Sequence, residues 1–163
     1  MDIILRRISD ADIDMVHDWL NQGYIKKWFG DAQDWLDEIV GRQREFKFIK
    51  HFIAMLDNQP VGFCQYYDCS QTDPGEPWDN EPSLTFGIDF FVAHKEMLRR
   101  GIGKQIINKV CEKAIEDSKA KQIIADPAVD GEEINIASIR TLQSCGFVYD
   151  EATTLYKKEG GKA

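Results

Sequence analysis

The stretch SLTFGIDFFVAHKEMLRRGIGKQIINKVCEKAIEDS, residues 83–118, decides how this chain folds. Its first part, Ser83 to Ala93, reads as a strand. It is followed by the glycine-bearing turn Leu98 to Lys104 and then by a long helix in which Ile106, Ile107, Val110, Cys111, Ala114 and Ile115 recur at helical spacing. Gly101 and Gly103 lack Cβ atoms, so successive backbone N–H groups can converge at the helix start. The helix terminus adds a partial positive charge there, and a pyrophosphate fits such a place. Arg99, Arg100 and Lys104 reverse the local sign of charge in a chain whose net charge is −8.

Spacing separates the phosphate-binding loops that compete for this turn. A P-loop needs Ser or Thr after Gly-Lys and a glycine five positions before it, whereas Gln105 follows Lys104 and Leu98 stands five before Gly103. A dinucleotide-binding loop needs a third glycine where Ile106 stands, and it normally opens the first β-α unit of a domain. On the turn alone, an ordinary glycine turn and the acyl-CoA pattern Q/R-x-x-G-x-G/A stay open, the latter with Leu98 in its first position.

Working outward, Ile3 to Arg7 reads as a first strand, and Ser9 with Asp10 and Asp12 starts a helix running to about Asn21. His17 sits at the edge of that helix's apolar stripe, where a structural role is expected. A second helix is predicted over 31–46. HFIAMLDNQPVGFCQYY, residues 51–67, reads as a hairpin turning at 57–60, with Pro60 marking the reversal. Residues 68–82 read as an extended loop. After the long helix come a short strand over 121–125, a helix over 133–145 closed by Gly146, and strands near 147–149 and 153–157. The predicted order is one α/β (α+β) domain over 1–163 with a mixed sheet, frayed from about 158.

The chain has 163 residues, a size for one domain, and 43% hydrophobic with 29% charged residues, which excludes a disordered or fibrous chain. The acidic balance makes nucleic acid and anionic lipid unexpected partners and favours cationic ligands. Cys64, Cys69, Cys111 and Cys145 show no metal-like or disulfide spacing. No metal is expected, and a reducing, cytoplasmic setting is. Neither a signal-peptide layout nor a membrane-length apolar run is visible.

Asn135-Ile-Ala-Ser138-Ile-Arg140-Thr-Leu142-Gln-Ser-Cys-Gly146-Phe147 then resembles the N-x-x-[AS]-x-[RK]-x-Y-x-x-x-G-F signature that follows the CoA loop in GNAT N-acetyltransferases. LRRISDADIDMVHDWLNQGYIKKWFGD, FIAMLDNQPVGFCQYY, the loop at Trp78 and FGIDFF extend the resemblance over nearly the whole chain, toward the aminoglycoside 6'-N-acetyltransferases. The resemblance implies the GNAT fold, a mostly antiparallel sheet of six to seven strands flanked by about four helices. It implies acetyl-CoA as donor and the primary amine of a cationic small molecule as acceptor, with the protein a monomer or homodimer. Siderophore-type lysine acyltransferases share the opening segment, so lysine-like, polyamine or peptide amines are rival acceptors.

By the same resemblance, the main chain of Phe90, Phe91 and Val92 lies along the pantetheine arm. Arg99, Arg100, Gly101, Ile102, Gly103 and Lys104 receive the pyrophosphate. Asn135 bonds the arm, and Ser138 lies near the thiol. Asp89 aligns with the carboxylate beside the acceptor amine. It is expected to orient the ammonium and take its proton, unless it is a solvent-facing residue or an arginine partner. Trp28, Asp73, Glu76, Trp78, Asp79, Glu81 and Asp126 are expected on the acceptor side, with the carboxylates collecting ammonium groups. Leu142 stands where the family has a tyrosine that protonates the thiolate. Ser138, a water or another tyrosine would have to serve, or the thiolate leaves unassisted, or the chain is a CoA-binding module without turnover. Residues between Asp126 and Asn135 form an insertion relative to the family.

Overall fold

The computed structural model describes residues 2–160. Strand β1 (Ile4–Arg7) leads into a 3-10 turn at Asp10–Asp12 and helix α1 (Ile13–Leu20). Asp12 locks that junction: its carboxylate accepts from Ser9 N–H at 2.8 Å and takes both Arg6 guanidinium nitrogens at 2.7 Å. The Arg6 bonds hold the Asp12 carboxyl below its usual range despite burial. Helix α2 (Gly23–Phe29) follows, where the sequence suggested only a connection bearing Trp28 and Phe29. Helix α3 (Ala32–Val40) is capped by Asp31, which accepts from Gln33 N–H at 2.9 Å. It stops at Gly41, not at Phe46 as predicted, and turns fill the chain to β2.

Strands β2 (Ile49–Leu56) and β3 (Gln59–Asp68) form the expected hairpin, but Pro60 is not its apex. Asp57 and Asn58 make the reversal with φ of 49° and 64°, a left-handed pair that suits strand twist, while Pro60 sits within β3 beside a bulge opposite Met55. A loop with one 3-10 turn at Cys69–Gln71 leads to β4 (Thr85–Val92). Helix α4 (Ile102–Ser118) carries the chain to β5 (Gln122–Ala125), parallel to β4.

The insertion after Asp126 folds as a ribbon of β6 (Val129–Asp130) and β7 (Glu133–Ile134). Helix α5 (Ile136–Ser144) therefore starts three residues later than predicted. Asn135 is its N-cap, accepting from Ser138 N–H at 3.1 Å. Strands β8 (Val148–Asp150) and β9 (Leu155–Glu159) end the described chain. Lys158 and Glu159, expected in a frayed tail, pair with Ile123 and Gln122, whereas residues 161–163 of that tail lie outside the described residues.

The strands form one sheet in the order β1-β2-β3-β4-β5-β9-β8, antiparallel except at β4–β5. The main sheet and five α-helices agree with the predicted mixed sheet, with one helix more than the four expected. Side chains of β4 alternate between the faces. Phe86, Ile88 and Val92 pack with α4 and α5, while Phe91 packs with α1–α3. Among the described residues no helix is long and apolar enough to cross a membrane.

Tyr67 of β3 lies opposite Gly87, and its ring occupies the space that a Cβ at Gly87 would need. Gly87→Ala is therefore expected to lower unfolding stability by about 1–3 kcal/mol in urea denaturation, as overpacked core positions do. An unchanged midpoint would show that the ring moves aside freely.

Candidate active site

The site arises where β4 and β5 part. Strand β4 stays paired with β3 from Phe86 to Val92, but its pairing with β5 ends at Gly87 opposite Ile124. Ala93 N–H donates to Val61 O at 2.8 Å. By antiparallel alternation, residues 89 and 91 direct their main-chain groups to β3, and Phe90 and Val92 direct theirs to the open side. Phe91 thus cannot offer its main chain to a ligand as expected. Val92 does so only in part, because Tyr24 Oη donates to its carbonyl at 2.7 Å.

A cleft of about 190 Å³ occupies the opening. Trp28, Phe29 and Trp35 wall one side, Asp89 and Phe90 form its floor, and Asp126 with Asn135, Ser138 and Leu142 closes the other. The β6–β7 ribbon is strapped across to α2 by Lys27 and Glu133, whose charged atoms are 2.6 Å apart.

Gly101 caps α4 in a left-handed conformation, φ 78°, and no side chain caps the helix. The first-turn N–H groups of Ile102, Gly103 and Lys104 therefore have no acceptor within the helix. A Cβ on Gly103 would stand 3.6 Å from Thr141, 3.7 Å from Phe90 and 3.8 Å from Val92. Gly103 thus lies at the junction of β4, α4 and α5. Arg99, Arg100 and Lys104 are exposed, and none of them is in an ion pair among the described residues. An open strand edge leading to a bare helix start ringed by cations fits coenzyme A: amide pairing along the pantetheine and a cradle for the diphosphate. Asn135 spends its Oδ1 on Ser138, which leaves its amide N–H groups without a partner among the described residues.

Asp89 projects from β4 on the α1–α3 face and is partly buried, not solvent-facing, and among the described residues it has no arginine partner. Burial pushes its carboxyl up to about 6, helped by Asp126 and opposed by the amide of Gln65, which donates to Oδ2 at 3.0 Å. Glu38 of α3 faces it and is pushed up to about 7, by burial first and then by Asp89 and Asp34. Asp126 is also pushed up, by burial and by Glu76. Neither Glu38 nor Gln65 was singled out from the sequence. Gln65 becomes visible only through the β3–β4 register, and Glu38 only through the packing of α3 over it.

The acceptor-side residues divide. Trp28, Asp89 and Asp126 line the cleft, and Glu76 is near enough to raise Asp126. Asp73 is exposed away from the cleft lining. Glu81 is withdrawn from it: its side chain is 9% exposed, meets Lys157 Nζ at 2.8 Å and accepts from Gln122 at 2.8 Å, fastening the loop to β5 and β9. Asp79 is spent on the loop's own turn, accepting from Gly75 and Glu76 N–H. Trp78 packs on Tyr67 with ring centroids 5.6 Å apart and donates to Thr72, so it anchors the loop and does not form a wall of the cleft. Leu142 is 1% exposed, and Ser138 carries the one hydroxyl among the described residues lining the cleft.

An N-acyl transfer site on a GNAT-type sheet is the class these features define. The model of the acetyltransferase (GNAT) domain matches residues 9–155, and the chain belongs to that family. Aminoglycoside N(6')-acetyltransferases type 1 of Klebsiella pneumoniae and of Serratia marcescens are each 27% identical to it over 157 residues, 89% of this chain and 73% of theirs. The crystal structure of aminoglycoside acetyltransferase AAC(6')-Ib with coenzyme A superposes with a TM-score of 0.80 at 22% identity, covering 97% of this chain and 95% of that one. At that identity the likeness concerns the fold.

Gly103→Trp is expected to raise the KM for acetyl-CoA at least tenfold while leaving the melting temperature nearly unchanged, since the added ring fills the junction in front of the helix start. Calorimetric titration with coenzyme A checks the loss of binding directly, and parent-like affinity would remove this helix start from the donor site.

Proposed function

We propose that the chain transfers the acetyl group of acetyl-CoA to a primary amine of a cationic small molecule, and that the 6'-amine of an aminoglycoside is the acceptor. The observation that carries this reading is Asp89, a carboxyl raised toward neutrality on the open strand edge that leads to the bare start of α4. Acetyl-CoA supplies a thioester. The protein's own work is to hold an ammonium, take its proton and keep the amine in line. Asp89 accepts the proton, Glu38 and Asp126 collect further ammonium groups, and Trp28 offers a ring face to a sugar or cation. Ser138, the hydroxyl among the described cleft-lining residues, would donate toward the sulfur. The names of the relatives support the aminoglycoside. The free, buried cysteines support a reducing, cytoplasmic location. Turnover of kanamycin-type amines, compared with lysine, polyamine and peptide amines, tests the acceptor: silence on the aminoglycosides with turnover of another amine reassigns it.

Asp89 is ionised above about pH 6 and protonated below it, so base function is present above that pH and lost as pH falls through it. Asp89→Asn is expected to cut kcat by about 10²–10³-fold, in the range for a general base, to abolish the acid limb near pH 6, and to shift the KM for acetyl-CoA by less than about twofold. Parent-like kcat would remove Asp89 from the chemistry.

An acceptor cation entering beside Glu38 favours its ionised form, so binding near pH 6.5 should release protons. Calorimetry in buffers of different ionisation enthalpy should register that release, reduced in Glu38→Gln. Equal release by both proteins would take Glu38 out of the acceptor site.

A further inference from the structure

Among the described residues, four that are polar or charged are buried: Asp12, His51, Gln65 and Thr85. Asp12 is satisfied by Arg6 and Ser9, and Thr85 Oγ1 accepts from Gln122 at 3.1 Å. The buried side-chain atoms left without a partner, among the described residues, are both ring nitrogens of His51 and Oε1 of Gln65. They are neighbours. His51 lies directly opposite Gln65 across β2–β3, and Gln65 lies directly opposite Asp89 across β3–β4. Directly opposed side chains share a face of the sheet at Cβ separations of about 5 Å. His51, Gln65 and Asp89 therefore form one row, flanked by Ile49, Tyr67 and Gly87 on one side and Ile53, Phe63 and Phe91 on the other.

The amide of Gln65 already gives its N–H to Asp89, so its oxygen must point away, toward β2. There His51 holds the complementary group: a neutral imidazole has one N–H donor. We propose that His51 is a positioning residue for Asp89, its ring N–H bonding Gln65 Oε1 through one buried water, so that the amide cannot flip and present oxygen to the carboxylate. A cationic ring is disfavoured here, because burial and then the charges of Arg42, Arg7 and Lys50 drive its pKa down. The ring therefore stays a neutral donor throughout the working pH range. At the other end of the row, the titratable groups within electrostatic reach of Asp89 are Glu38 of α3, Tyr67 of β3, Cys69 just after β3 and Asp126 after β5. The negative charges of Asp126 and, when ionised, of Glu38 disfavour its ionisation, while Tyr67 is uncharged, which leaves the Gln65 amide as the partner that favours the carboxylate.

This inference rests on Asp89 as the base, and the experiment separates the two. The pH profile of kcat/KM is measured for the parent, Asp89→Asn, His51→Phe and His51→Gln, with the KM for acetyl-CoA and the melting temperature of each. Loss of the Gln65 bond raises the Asp89 pKa, so His51→Phe should move the acid limb upward by about half a pH unit or more and lower the plateau about 3–10-fold. Its KM for acetyl-CoA should be unchanged, and His51→Gln, which keeps a donor, should restore much of the profile. A lower melting temperature with the acid limb in place would make His51 merely structural and overturn the proposal. An acid limb that survives Asp89→Asn would instead sink the assignment of the base. Should His51→Phe fail to fold, nitrogen NMR of the ring decides: one neutral tautomer whose N–H shift moves in Gln65→Met is expected, and an unmoved signal overturns the proposal.

Discussion

The parting of β4 from β5 after Gly87 is the constraint on which the rest of the site depends. Unpaired main-chain N–H and C=O groups in a dry core would each cost about as much as a lost hydrogen bond, so a sheet cannot open there unless the gap is wet or filled. Tyr24 takes up the Val92 carbonyl, and Phe90 meets the open side beside Gly103. What remains is an edge suited to an extended, amide-bearing arm, which would complete the sheet as an added strand. The same chain segment carries the proposed acid-base group, since Asp89 is on the strand that opens and points to its other face. One strand thus presents free main chain at its open edge and a carboxylate on the α1–α3 face.

Charge is distributed to match. The whole chain carries −8, but at physiological ionic strength exposed charges are screened beyond about 8 Å, so the net value says less than the local arrangement. Arg99, Arg100 and Lys104 gather at the start of α4, while Glu38, Asp89 and Asp126 gather on the other side of β4's open end. The two sides of the cleft thus carry local fields of opposite sign, as the proposed anionic donor and cationic acceptor would require.

The sequence made the donor side readable because its signals are local. Two glycines at a strand-to-helix turn mark a helix start locally, whereas the N-cap at Asn135 emerged only in the structure, since the sequence pattern read that helix as starting at residue 133. The acceptor side was less readable because it is assembled by register and packing. Glu81 and Asp79 look like free loop carboxylates in a string of letters, yet Lys157 and the backbone of Gly75 claim them. Pro60 suggested a turn, but the left-handed Asp57-Asn58 pair made it first. The run Gly23 to Phe29 is too short to declare helical periodicity, and it became α2 through burial of Ile25 and the packing of Phe29 on Trp35 and Phe91. Gln65 and Glu38 carry no motif at all.

The basicity of Asp89 is a balance of opposed effects, and the layout of the sheet sets it. An ordinary carboxylate titrates near 4 and is a weak base at neutrality, whereas one buried without a partner stays protonated and is no base. The aromatic row of Phe63 and Phe91, stacked at 5.3 Å, and the ring of Tyr67 over Gly87 remove water from both flanks and push the group up. The Gln65 amide pulls it back, and the outcome lies near 6. That balance requires a polar row between two apolar ones, which explains why β3 buries a glutamine amid aromatic residues. Glutamine can serve only with its nitrogen turned to the carboxylate, because its oxygen in that place would add to the repulsion that the amide now offsets.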